Sequence, residues 1–117
     1  MIMNLSHIFT NLTILKVKMV SWNKNQDAIR SAADEVGLTA FRMGKDDLFD
    51  TDLQRAMLDF NDDISIKLGD MRLSDKKPKT KKQLLADICK LEARLVIEYE
   101  SQSIKLDAEI KELLSKN

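Results

Sequence analysis

The sequence predicts an all-α protein: a small bundle of about four helices in which three shorter ones pack on the first half of a long C-terminal helix. Three observations carry that expectation. No Gly or Pro occurs between Thr80 and Asn117, and apolar residues recur there at helical spacing. The whole chain of 117 residues holds only three Gly and one Pro, far fewer than a strand-rich fold with many turns would use. Each earlier segment carries apolar residues at i, i+3, i+4 and i+7, the pattern of one helix face.

The first such segment contains Leu5, Ile8, Phe9, Leu12, Leu15 and Met19. A short alternation of Leu15, Val17 and Met19 with Lys16 and Lys18 offers a strand instead, and the longer helical pattern is preferred. The second helix is expected from Lys24 to Val36. Asn23 and Gln26 have the spacing of a capping box, Ile29, Ala32, Ala33 and Val36 form its face, and Gly37 stands where a helix C-terminus favours glycine. A short helical piece from Ala40 to Met43 precedes the turn residues Gly44, Lys45, Asp46 and Asp47. The third helix starts near Thr51, with Gln54 completing a second capping box. It buries Leu53, Ala56, Met57, Phe60, Ile64 and Leu68, and ends at Gly69.

A basic linker, 70–79, contains the only proline, Pro78, and leads to the final helix at 80–117, capped by Thr80 and Gln83. Leu84, Ile88, Leu91, Leu95, Tyr99, Leu106, Ile110 and Leu113 share one stripe. Leu84, Leu95 and Leu106 repeat at a period of about 3.67 residues per turn, which suits a straight helix. At 1.5 Å per residue this helix measures about 55 Å, whereas a compact chain of this size has a radius of gyration near 13 Å. It should outrun its own domain. In its first half Leu85, Cys89 and Val96 add a second apolar stripe, so burial from two sides is expected there. The polar interval Glu100 to Ser103 then marks a bend or the start of a subunit contact.

One domain over 1–117 is expected at this length. Acidic and basic residues balance to a net charge of zero, but not evenly: +2 over 1–43, −5 over 44–75 and +3 over 76–117. A single cysteine, Cys89, excludes an internal disulfide and a CxxC metal site and fits a reducing, cytoplasmic setting. Asn4, His7, Asn11, Lys16 and Lys18 interrupt the apolar N-terminal region, so neither a leader nor a membrane-inserting helix is expected. Abundant Lys and Asn beside scarce Arg fit an AT-rich genome, such as that of a virus or mobile element.

Candidate sites follow from charge and pattern. Ala32 to Thr39 resembles the centre of a helix-turn-helix unit, with Gly37 at the turn and Thr39 capping a recognition helix. Thr39, Arg42 and Lys45 would then contact DNA, although Gly44 would end that helix early and Asp46 and Asp47 would oppose phosphates. Nucleic acid is therefore not the favoured partner. Lys76, Lys77, Lys79, Lys81 and Lys82 surround the positive end of the last helix dipole. They either pair with Asp59, Asp62 and Asp63 or dock an anionic partner. Asp59, Asn61, Asp63, Ser65 and Asp70 match an EF-hand spacing, yet Ile64 stands where that loop needs glycine.

Catalysis finds little support. His7 is the only histidine, read as a core-edge residue with no acid beside it in sequence, and Cys89 is read as a packed thiol. No metal motif, phosphate-binding glycine loop or cofactor site is present in the sequence. The leading expectation is a non-enzymatic adaptor or inhibitor that binds another protein or itself through amphipathic helices. Tyr99, Leu106, Ile110 and Leu113 form its interface. The alternative is a small DNA-binding transcriptional regulator that uses a degenerate helix-turn-helix at 24–43, with the last helix as dimerisation arm.

Overall fold

The computed structural model describes residues 6–43, 51–72 and 75–116. Of these, 86% are helical and none is in a strand. Helices α1 (Ser6–Met19), α2 (Gln26–Met43), α3 (Thr51–Leu68) and α4 (Lys81–Ser115) follow one another, with a 3-10 turn, Trp22–Lys24, between the first two. Successive helices run antiparallel. One continuous core joins all four, centred on Ile8, Leu12 and Leu15 of α1, Ile29 and Val36 of α2, Leu53, Met57 and Ile64 of α3, and Leu84, Ile88 and Leu95 of α4.

The termini of these helices are fixed locally. Asn25 precedes α2 and spends its side-chain amide on the carbonyls of Lys18 (3.2 Å) and Ser21 (3.0 Å), which ties the end of α1 to the start of α2. The expected Asn23 cap is replaced by this arrangement, and α2 begins at Gln26. Thr51 is the first helical residue of α3. Its expected partner Gln54 instead donates to the carbonyl of Ala40 at 3.0 Å, joining α3 to the last turns of α2. The end of α3 follows expectation: Gly69 adopts φ +82°, and the amides of Gly69 and Asp70 return to the carbonyls of Ile66 and Ser65. At α4 the capping box is complete, with Gln83 N–H donating to Thr80 Oγ1 (3.1 Å) and Thr80 N–H donating to Gln83 Oε1 (2.9 Å).

Gly37 does not end α2; the helix passes through it to Met43. The reason lies across the interface with α3. A Cβ at Gly37 would come within 2.4 Å of Asn61 Nδ2, so glycine is required by close helix packing rather than by a turn.

Helix α4 spans 35 residues, about 52 Å. Its length sets the shape of the molecule, 59 × 27 × 20 Å with a radius of gyration of 16.6 Å. The long axis is the helix. Only its first stripe is buried: Leu84, Ile88, Leu91 and Leu95 are in the core, while Leu85 is partly covered and Cys89 and Val96 are exposed. The second stripe therefore does not make a two-sided burial, because α1 and α3 both approach from the core-facing side. α4 stays helical through Glu100, Ser101, Gln102 and Ser103, and there its cover ends.

Candidate interaction surface

Among the described residues, the distal part of α4 presents a run of exposed apolar side chains. Gln102 is still 8% exposed, but every residue from Asp107 to Lys116 is exposed. Tyr99 (51%), Ile110 (44%) and Leu113 (65%) are open to solvent, as is Leu114, and Leu106 is half-buried. The geometry explains this. Lys16 of α1 donates to both carboxylate oxygens of Glu92 at 2.9 Å, and α1 runs antiparallel to α4, so its start at Ser6 lies about ten residues further along α4, near Gln102. Beyond that level no described residue covers the stripe. Gln102 itself donates to Glu98 Oε1 at 3.3 Å, while its own buried Oε1 has no partner among the described residues.

The lysine cluster divides into two sets. Asp63, whose side chain is only 5% exposed, accepts Lys76 Nζ at 2.8 Å and Lys79 Nζ at 2.9 Å on separate oxygens. Lys79 also reaches Asp87 Oδ2 at 2.9 Å. Burial opposes ionisation of Asp63, but the hydrogen bonds from Lys76 and then Lys79 outweigh it and hold the carboxyl below its ordinary range. In return, Asp87 and Asp63 raise Lys79, and Asp63 raises Lys76. Lys77, Lys81 and Lys82 remain exposed. Lys67 completes the join: its ammonium donates to the Lys79 carbonyl at 2.9 Å and sits 5.4 Å from the centre of the Trp22 ring. The basic linker is thus fastened across α3 and α4.

Asp59, Phe60, Asp63, Lys79, Asp87, Lys90, Leu91 and Arg94 line a shallow groove between α3 and α4. Its deepest carboxylate is held ionised by two ammonium groups, which suits anchoring and opposes use as a proton donor near neutral pH. Among the described residues no cluster of His, Cys, Asp or Glu could hold a metal ion. The EF-hand spacing falls on α3 and its Gly69 turn rather than on a calcium loop.

Three other expectations are placed differently. The helix-turn-helix reading loses its turn, because Ala32 to Thr39 is continuous helix and the Thr39 hydroxyl donates back to the Glu35 carbonyl at 2.7 Å. Arg42 is exposed near the end of the same helix, and Lys45 lies outside the described residues. His7 does have an acid beside it: Nε2 is 3.1 Å from Glu35 Oε2, brought from α2, and the pair is exposed. Cys89 is exposed rather than packed.

No helix among the described residues is long and apolar enough to cross a membrane. Comparison with known proteins finds no matching family model, no match among curated proteins and no match among solved structures.

Proposed function

We infer that this chain is a non-enzymatic helical interaction module whose working surface is the distal half of α4. One observation carries the reading: an amphipathic helix leaves the body of the bundle with Tyr99, Ile110 and Leu113 exposed and Leu106 half-buried along a single face. A helix of this kind gains most of its stability by burying its apolar stripe on another element. Helix-on-helix docking is the mode that matches a straight stripe with i, i+4 and i+7 spacing. Lys77, Lys81 and Lys82 provide exposed cations at the opposite end of α4, suited to an acidic surface.

Replacing Leu106 and Ile110 together with Glu tests this directly. Each buried aliphatic side chain contributes about 1.5–3 kcal/mol to an interface, so the double variant should lose association by light scattering while its melting temperature stays that of the wild type. Equal association of variant and wild type would remove α4 as the working surface.

A further inference from the structure

The end of the bundle where α1 turns into α2 and α4 begins combines unpaired cations with exposed apolar side chains. Val20 follows the last residue of α1 and is 77% exposed, and Val17, one turn earlier, is 63% exposed. Both lie outside the buried stripe of Ile8, Leu12, Leu15 and Met19. The segment from Val20 to Lys24 and Lys81 of α4 together line a shallow cavity of about 280 Å³, which brings the apolar tip and the start of α4 onto one surface. Lys24, Lys77, Lys81 and Lys82 are all exposed, and none is in an ion pair among the described residues. The carboxylates of this region are engaged with other cations: Asp27 and Asp70 hold Arg30, while Asp63 and Asp87 hold Lys76 and Lys79. Asp75 is the exposed carboxylate that remains in the linker.

The chemistry of these cations narrows what can lie on them. Lysine is a hydrated point charge without the planar fork by which arginine grips a single carboxylate or phosphate, and it is depleted at protein–protein interfaces, where arginine is enriched. Four lysines therefore suit a diffuse anionic surface. A nucleic-acid backbone supplies the charge but gives Val17 and Val20 nothing apolar to enter, and Trp22 is half-buried with Lys67 over its ring, a poor platform for bases. A bilayer with anionic headgroups supplies both terms: its charge attracts the lysines, and its acyl boundary accepts the valines. Trp22, beside them, has the amphipathic ring that settles at that boundary.

Resting on the reading of Lys77, Lys81 and Lys82 as docking cations, we propose that this end of the bundle docks on an anionic lipid surface, with Val17 and Val20 at the headgroup boundary and the four lysines on the headgroups around them. The chain lies on the bilayer without crossing it. One end of α4 is then held at the lipid, and its distal apolar face, about 40 Å away along the helix, is left free for another helix.

Trp22 is the only tryptophan and reports from the contact itself. With vesicles of phosphatidylserine and phosphatidylcholine at about 0.15 M salt, the wild type should bind, its fluorescence should shift to the blue, and lipids brominated near the headgroup should quench it. Phosphatidylcholine alone should do none of these. Each lysine close to an anionic surface contributes about fivefold in affinity, so replacing Lys77, Lys81 and Lys82 with Gln should weaken binding about a hundredfold without lowering the melting temperature. Val20→Ser should weaken it about tenfold. No binding to the anionic vesicles, equal binding by the triple variant, or binding that leaves Trp22 unquenched would each overturn the proposal. Salt-dependent binding of a DNA duplex in place of vesicles would overturn it as well. The distal surface is tested separately, because the Leu106→Glu, Ile110→Glu variant should bind vesicles as the wild type does.

Discussion

Gly37 and Asn61 show how a single residue can mislead a reading of sequence and still be explained by physics. A glycine followed by Leu and Thr looks like a helix end, yet here it admits Asn61 of α3 against the α2 backbone. Gly37→Ala would gain about 1 kcal/mol of helix propensity but force Cβ to 3.2 Å from Asn61 Cβ and closer still to the amide. Overpacking of this kind costs about 1–3 kcal/mol, so thermal melting should show net destabilisation. In an Asn61→Ala background, which also removes a buried carbonyl oxygen without a partner, the same change should be neutral or stabilising. Asp63 is the second informative residue. Its folded pKa is depressed below the ordinary 3.8, so its stabilisation is present above that value and is lost as pH falls through the lower folded value. Hydrogen bonds to charged groups contribute about 1.5–3 kcal/mol; Asp63→Asn should lower stability at pH 7 by about that order. It should also flatten the acid limb of a stability-against-pH curve. The sequence marks Asp63 only as one of several aspartates on α3. That it alone turns inward, on the α4 side, depends on the angle between two helices, which periodicity does not contain.

At the level of elements, the sequence was readable wherever one local signal sufficed. The apolar periods located all four helices, Thr80 and Gln83 fixed the start of α4, and Gly69 fixed the end of α3. It was unreliable where a polar side chain could choose between a local and a tertiary partner. Gln54 took the Ala40 carbonyl in place of a cap, and Asn25 took the end of α1. The second stripe of α4 failed for a related reason: Leu85, Cys89 and Val96 are apolar enough to be core, but no helix among the described residues approaches from their side. The lysine cluster now separates into testable parts. Lys79→Gln should lower the melting temperature, because it releases both Asp63 and Asp87. Replacing Lys77, Lys81 and Lys82 with Gln should leave stability unchanged or raise it slightly, since cations leave the positive end of the α4 dipole, each worth about 0.3–1 kcal/mol. If the triple variant melts lower than the single one, the clamp has been assigned to the wrong lysines.

On the scale of the molecule, a three-helix body covers the first half of α4 and leaves the second half standing beyond it, which is why the radius of gyration, 16.6 Å, exceeds the ~13 Å of a compact chain of similar length. The protrusion was legible in the sequence from the length of the uninterrupted stripe, whereas its orientation beneath α1 emerged only with the Lys16 to Glu92 contact. A helix segment left uncovered opens its backbone hydrogen bonds far more readily than the core does. Amide hydrogen exchange across α4 as a function of protein concentration tests the central claim most directly. The account predicts constant strong protection for Leu84 to Leu95, and protection from Ile104 to Leu114 that is weak in dilute solution and rises as the protein associates. Distal amides as slow as those of the core at the lowest concentration, or equally fast at every concentration, would contradict it.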